Sequence, residues 1–331
     1  MKQPGHRYRA VVVGCGRIGS LFTYQSLTEG FHSHAQAYRE HPRTKLVGMA
    51  DTDPQRLSEA GQFWKIETEP EAVPLLWRLK PDIVSICTPD ATHFSIARTI
   101  LLEAPPRLLF IEKPMTLRGD EAAQLLQLAD RRGCAIAVNY FRRFSPAFRA
   151  LSQELREGQH GEPLLALMLY SKGLFHNGTH AIDLMRFWLG EPRESKARPA
   201  AWGPDGDETY TAELSFANNN CRARLEGFDE RVATVFELDF LSERSRWRFW
   251  LGGNKWEFSE VRDSPLYAGY RTYVPTGRER TDERFAQPLA NCLWHAVDNL
   301  VAFLDGTASL LCTGKDGLAA LNWAERLRRS Q

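Results

Sequence analysis

Long apolar runs, paired cysteines and excess charge of either sign are all scarce in this 331-residue chain. Each scarcity closes off a class of protein. After a polar, basic stretch from Met1 to Arg9, the first apolar run stops at Gly14. That is too short for the apolar segment of a signal peptide or for a membrane span. The six cysteines (Cys15, Cys87, Cys134, Cys221, Cys292 and Cys312) show no C-x-x-C pair and no metal-ligand spacing, so neither a disulfide framework nor a metal site is expected. Several lie in apolar runs, where a thiol behaves as a small buried hydrophobe, and a reducing, cytoplasmic setting fits them. With 42 basic against 41 acidic side chains, the net charge of +1 supplies no field for nucleic acid. The basic runs Arg142-Arg143 and Arg326 to Arg329 read as solvated faces.

What is present is an ordinary globular balance, 43% hydrophobic and 25% charged, in a chain too long for one comfortable core, which predicts two domains. Over residues 1–140, short and nearly all-apolar runs alternate with amphipathic stretches. Ala10 to Val13 ends at Gly14, Lys45 to Ala50 at Asp51, Asp82 to Cys87 at Thr88-Pro89, Arg107 to Ile111 at Glu112-Lys113-Pro114, and Cys134 to Val138 at Asn139. This pattern predicts a doubly wound parallel sheet covered by helices on both faces. Ala122, Leu125, Leu126 and Ala129 carry helical spacing that Gly133 is placed to stop, and Ser95 to Leu102 reads as another helix. From 141 to 331 the strands lengthen and alternate: Leu164 to Ser171, Glu208 to Phe216, Arg222 to Phe228, Thr234 to Leu241 and Arg246 to Leu251. They predict an α+β domain on a large, mainly antiparallel open sheet with one wetter face. Two helical stretches follow, Leu289 to Leu304 and Lys315 to Arg328, the last left free to pack back on the first domain.

Gly14-Cys15-Gly16-Arg17-Ile18-Gly19 is G-x-G-x-x-G directly after the first strand. Such glycines allow a tight turn and close approach of backbone N–H groups to a pyrophosphate, and the helix that follows adds partial positive charge. Asp51, ending the second strand, suits the carboxylate that accepts from an adenosine ribose and repels a 2′-phosphate. NAD(H) is therefore favoured, with NADP(H) left open. Asp51 lies 32 residues beyond Gly19, where about 20 is usual, so an inserted loop is expected from Leu21 to Phe31. The alternative is that Asp51 merely caps the next helix at Asp53-Pro54. Lys113 at a strand tip is a proton-transfer or electrostatic candidate. His180 and Asp183, at i and i+3 with Ile182, Met185 and Leu189 behind them, read as a histidine oriented by an acid on one helix face.

Together these segments resemble the Gfo/Idh/MocA family, named for glucose–fructose oxidoreductase and inositol dehydrogenase. The resemblance runs through Gly14 to Gly19, Ala50-Asp51, Thr88-Pro89 with His93, Glu112-Lys113-Pro114, Asn139 to Phe144 with Pro146, and Gly178-Thr179-His180 with Asp183, continuing to Trp188 to Pro192. It implies a Rossmann domain followed by a sheet domain whose open face mediates homodimers or homotetramers. It further implies a cofactor lined by Gly14, Gly16, Arg17, Ile18, Gly19, Asp51, Thr88, Pro89, His93, Glu112 and Lys113. The matching lysine contacts the reacting hydroxyl, the matching histidine is the general acid–base, and Asn139, Arg142, Arg143, His176 and Asn177 line the substrate site. One departure stands out. Family members often carry Asp-x-Gly-x-His, and here His176 occupies the aspartate's place, which leads to His176 and His180 acting as a pair with Lys113 chiefly electrostatic. The expected activity is an NAD(P)-dependent hydride transfer at a hydroxyl or carbonyl of a sugar, cyclitol or derivative. An NAD-dependent glycosidase working by redox elimination and a non-catalytic dinucleotide-sensing regulator are the alternatives.

Overall fold

A computed structural model describes residues 6–26, 29–216 and 221–330. Leu27 and Thr28, within the expected Leu21 to Phe31 insertion, lie outside the described residues. The chain forms two compact units, Met1–Phe144 with Ala290–Ala319 and Ser145–Leu289 with Ala320–Gln331.

The first unit is built on β1 (Tyr8–Val13), whose residues are buried almost throughout. The helix after the glycine turn is short and broken: a π-turn at Arg17–Leu21, then α1 (Phe22–Gln25). Next comes α2 (His34–Glu40), whose first turn is capped by Ser33 Oγ accepting from the Gln36 N–H. The order then runs β2 (Thr44–Ala50), α3 (Pro54–Trp64), β3 (Glu67–Glu69), α4 (Ala72–Leu79) and β4 (Ile83–Ile86). After these follow α5 (His93–Glu103), β5 (Leu108–Ile111), α6 (Gly119–Arg132) and β6 (Ala135–Val138). Gly133, at φ +64°, stops α6 as its position predicts. The six strands are all parallel, in the order β3-β2-β1-β4-β5-β6. This is the topology of a dinucleotide-binding Rossmann domain, with its switch point between β1 and β4. Sequence patterning located five of these strands. It missed β3, only three residues long and half-exposed, whose Glu-Thr-Glu carries no apolar signal.

The second unit opens with α7 (Pro146–Arg156), capped by Ser145. Then come β7 (Pro163–Tyr170), α8 (Thr179–Leu189), β8 (Pro192–Ala201), β9 (Thr209–Phe216), β10 (Arg222–Gly227), β11 (Phe236–Ser242), β12 (Ser245–Trp250), β13 (Lys255–Asp263) and β14 (Arg271–Pro275). They form one eight-stranded sheet, β14-β13-β12-β11-β7-β10-β9-β8, antiparallel except where β10 runs parallel to β7. Its inner face is aromatic: Phe148 stacks on Trp188 at 5.6 Å and meets Phe249 at 5.1 Å. The outer face is less wet than alternation implied, since half-exposed leucines of β7 run between charged neighbours, Leu167 beside Asp239 and Arg224 and Leu169 beside Glu237 and Glu226. The patterning missed β8, whose Arg-Glu-Ser-Lys composition hides an edge strand, and β13 and β14.

The chain closes with α9 (Cys292–Asp305) and α10 (Gly314–Arg329). Gly314 and Gly317 let the start of α10 lie on β6, since a Cβ on either would meet Leu126 or Val138 at 2.6 and 2.8 Å. Among the described residues no helix is long and apolar enough to cross a membrane.

Candidate functional site

Three glycines after β1 have three separate tasks. Gly14 sits at φ +101°, and a Cβ there would lie 2.7 Å from the Cys87 carbonyl and 2.8 Å from the Thr88 N. The turn thus passes directly over the end of β4. A Cβ on Gly19 would collide with the Gly14 carbonyl oxygen, so this glycine closes the turn on itself. Gly16 differs: nothing lies within 4 Å of its would-be Cβ. That open approach to backbone is the space a pyrophosphate needs, and the residues present fit a dinucleotide. The broken helix behind the turn brings less aligned peptide dipole than the motif predicts.

Asp51 joins this turn. Its Oδ2 accepts from the Cys15 N–H at 2.6 Å and its Oδ1 from the Asp53 N–H at 2.9 Å. Asp51 is not the helix cap; Asp53 is, accepting from the N–H groups of Gln55 and Arg56. A half-exposed carboxylate at the tip of β2 is therefore oriented by backbone.

At the neighbouring strand tips, Thr88 is half-buried and Pro89 exposed. The His93 ring is buried, its Nδ1 and Nε2 each 2.8 Å from a carbonyl oxygen, those of Pro114 and Thr88. Its observed work is to brace the loops after β4 and β5 against each other. Glu112, at the end of β5, turns inward: Oε1 accepts from His34 Nε2 at 2.8 Å and from Asn139 Nδ2 at 2.6 Å. Burial alone would push this carboxyl up, but the hydrogen bond and charge of His34, then the Asn139 hydrogen bond and the Lys113 charge, outweigh it and hold its pKa below the ordinary value. Lys113 itself is half-buried. Asn139 is 2% exposed, and among the described residues its Oδ1 has no hydrogen-bond partner.

The two arginines expected on a solvated or substrate-lining surface are both buried. Arg143 Nη1 donates to Asp316 Oδ1 at 2.9 Å, and Asp316 in turn accepts from Thr313 at the start of α10. Arg142 lies 4.5 Å over the Phe141 ring, and burial lowers its pKa to about 9. The solvated-face reading of this pair is thereby corrected. The flanking Tyr140 and Phe144 draw the segment into the interior, both buried.

In the second unit, His180 and Asp183 lie on α8 at i and i+3, 6% and 2% exposed. The helix is not split into polar and apolar faces as its spacing suggested, because every residue but Phe187 is buried. The His180 ring stands edge-on to Phe236 at 6.3 Å. Asp183 faces Arg186 Nη1 at 3.7 Å, and Arg186 is gripped by Glu191. His176 is exposed and Asn177 half-exposed, on a π-turn (Gly173–Gly178) that leads into α8. Sequence reasoning missed Asp207, just before β9. Its carboxylate accepts from the N–H groups of Phe175 and His176, both at 2.9 Å through Oδ2. Burial raises the Asp207 pKa, although these backbone donors oppose the shift. A residue 31 positions from His176 leaves no sequence signal for such a clamp. Among the described residues no group of three or more His, Cys, Asp or Glu side chains could hold a metal ion.

Comparison with known proteins agrees with this fold. Residues 8–140 match the model of the oxidoreductase family with an NAD-binding Rossmann fold, GFO_IDH_MocA. Inositol 2-dehydrogenase of Rhizobium meliloti is 24% identical over 348 residues, covering 96% of this chain and 95% of that protein. UDP-N-acetylglucosamine 3-dehydrogenase of Acidithiobacillus ferrooxidans is 32% identical over 224 residues, 66% of each chain. The WlbA dehydrogenase from Bordetella pertussis, solved with NADH and UDP-GlcNAcA, shares the fold with a TM-score of 0.79 at 18% identity, over 99% of this chain and 96% of that one. The chain belongs to the Gfo/Idh/MocA family of NAD(P)-dependent oxidoreductases.

Proposed function

We propose that the protein interconverts a secondary alcohol and a ketone on a sugar, cyclitol or sugar derivative, with NAD(H) favoured over NADP(H). The observation that carries this reading is the open Gly16 backbone beside an Asp51 carboxylate that two backbone N–H groups hold in place. A carboxylate there accepts from ribose hydroxyls and repels a 2′-phosphate. When bound, a nicotinamide supplies the hydride acceptor or donor. The remaining work falls to side chains. The Lys113 ammonium meets the reacting hydroxyl and stabilises charge developing on its oxygen. His180 takes the proton that leaves as the hydride departs, and returns it in the reverse direction. Arg17, Ile18, Thr88 and Pro89 line the cofactor, while Asn139, Arg142, His176 and Asn177 serve the substrate. Arg143, tied to Asp316, supports that segment rather than reaching for a ligand. The sugar or cyclitol assignment is supported by relatives named for inositol and UDP-N-acetylglucosamine.

The outer face of the second sheet, with leucines between charges of both signs, supports assembly into homodimers or homotetramers. The six cysteines are all buried, as small hydrophobes in the core, and a reducing cytoplasmic setting suits them. The test is a panel of inositols, free sugars and UDP-sugars with NAD⁺ and NADP⁺, followed at the nicotinamide absorbance band. Turnover with at least one polyol, faster with NAD⁺, is expected. No reduction across the panel with wild-type protein that binds NAD⁺ would point instead to the regulator. Cleavage of a glycoside without net reduction would point to redox elimination.

A further inference from the structure

We propose that five buried side chains, Tyr38, Ser85, His34, Glu112 and Asn139, form one hydrogen-bonded chain that fixes a negative charge beside Lys113 and holds it as an ammonium, with His34 as a positioning residue. This rests on the reading of Lys113 as the group that meets the reacting hydroxyl.

The chain is continuous. Tyr38 OH lies 2.8 Å from Ser85 Oγ, Ser85 Oγ 2.9 Å from His34 Nδ1, and His34 Nε2 2.8 Å from Glu112 Oε1. Asn139 Nδ2 completes it at 2.6 Å from the same oxygen. All five residues are at most 9% exposed, and the His34 ring packs 4.9 Å from Phe110. One proton per link satisfies every bond of the array. Tyr38 donates to Ser85, Ser85 to His34 Nδ1, and the His34 Nε2–H and the Asn139 amide donate to Glu112. The array has a direction, and it ends on an acceptor with no proton of its own. Each of α2, β4 and the ends of β5 and β6 contributes a member. The position of the charge is therefore set by the sheet and not by one flexible side chain. A carboxylate this deep persists as an anion only when such donors replace its water.

Lys113 is the next residue along, and its charge is among the causes that favour the ionised form of Glu112. The interaction is mutual, so the carboxylate favours the charged form of Lys113. The groups around Glu112 are His34 and Tyr38 from α2, Ser85 and Cys87 at the end of β4, Asn139 after β6, and Lys113 next to it beyond β5. His93 sits beyond them on the Pro114 carbonyl. Cys87 stays a neutral thiol, its pKa pushed well up by burial and then by the Glu112 charge. The negative charge of the cluster rests on Glu112, and the Lys113 charge answers it. An ammonium so held cannot accept the substrate's proton; it stabilises an alkoxide, and the base role passes to His180.

The test reads Lys113 directly, without substrate or cofactor. The chain has nine lysines, few enough for ¹³C-dimethylation and NMR titration, the Lys113 signal being the one missing in Lys113→Arg. In Glu112→Gln, which keeps an oxygen for His34 and Asn139, the Lys113 midpoint should fall by about one pH unit, a tenfold loss of proton affinity. His34→Leu should lower it similarly, because Glu112 left with Asn139 alone takes up a proton. Ser85→Ala should leave it in place, since the bond from Nε2–H to Glu112 survives. A role in packing alone would not move the two variants together while sparing the third. An unchanged Lys113 midpoint in Glu112→Gln overturns the proposal, and so does a fall in Ser85→Ala as large as in His34→Leu. If His34→Leu does not fold, Glu112→Gln decides by itself. Failure of the functional reading looks different: Lys113→Met would then turn over as wild type, whatever the titrations show.

Discussion

An alanine at Gly16 and an alanine at Gly14 should damage this protein in opposite ways. At Gly14 the backbone sits at φ +101°, and the added methyl would meet the carbonyl of Cys87 at 2.7 Å and the Thr88 N at 2.8 Å. Positive φ costs an L-residue roughly 1–2 kcal/mol, and forcing rigid backbone aside adds about 1–3 kcal/mol. For a unit of this size each kcal/mol lowers Tm by roughly 2–4 °C, so Gly14→Ala should melt on the order of 10 °C early. At Gly16, with φ −68° and ψ −162°, alanine adopts the native backbone, and its methyl touches nothing within 4 Å. The free protein should therefore melt within about 2 °C of wild type, as expected for a substitution that makes no contact.

Bound cofactor reverses the ranking of interest. A ligand at 100 times its Kd stabilises by about 2.7 kcal/mol. A methyl in the space the pyrophosphate would take should raise the Kd at least about tenfold, removing roughly 1.4 kcal/mol of that gain. Thermal melts across an NAD⁺ series would read both effects in one experiment. A free Gly16→Ala protein as unstable as Gly14→Ala would overturn this division of roles. So would a Gly16→Ala melting shift with NAD⁺ equal to wild type.

Three further outcomes are expected. His180→Gln, chosen to limit the cavity at this buried site, should lower kcat by about 10²- to 10⁴-fold on any substrate the panel identifies, with its circular dichroism unchanged; a kcat within threefold of wild type would remove His180 from the chemistry. Asp316→Asn should weaken the hold on buried Arg143 and lower stability by about 1–3 kcal/mol, measured by urea titration, while KM stays put; a raised KM at wild-type stability would return Arg143 to the substrate site. Finally, burial pushes the Glu154 carboxyl up, but the His160 and Arg278 partners outweigh it and bring its pKa down to about 2. Its stabilising contribution is present above the unfolded carboxyl pKa and is lost as pH falls from about 4.5 toward 2. In Arg278→Met the acid-unfolding midpoint should therefore move to higher pH, and an unmoved midpoint would count against this network.

The parts of the molecule that could be read in advance are those where local chemistry and fold coincide. The runs before Gly14, Asp51, Thr88, Glu112 and Asn139 are apolar because their strands are covered on both faces, so their ends mark the strand tips directly. Where burial and composition part, the reading fails. β8 is an edge strand with exposed Arg, Glu and Lys, and β3 is three residues of Glu-Thr-Glu. The candidate site divides along the same line. The turn from Gly14 to Gly19 and the strand tip at Asp51 were legible because each has a local geometric reason. The inward turn of Glu112 onto His34 and Asn139 could not, because it depends on residues 78 and 27 positions away. Arg142 and Arg143 misled for a related reason: a pair of arginines gives no sign that Asp316, 173 residues on, will draw one of them inside.

Asp207 carries this argument furthest. The family's aspartate before the histidine is absent, and His176 stands in its place with its side chain exposed. A carboxylate nevertheless reaches the same turn from the start of β9, where it bonds backbone N–H groups. Glycine at 173 is a condition of that arrangement, since a Cβ there would collide with the Asp207 carboxylate, and φ at this position is +83°. An acid so engaged clamps the π-turn that delivers His180 into α8. Replacing it with asparagine keeps one acceptor oxygen for those N–H groups and should cost little activity, whereas alanine leaves them without it and should disorder the turn. Asp207→Asn near wild-type kcat with Asp207→Ala well below it would establish the clamp. Equal loss in both would mean that the negative charge itself is used, and that the acid missing at 176 is supplied from 207.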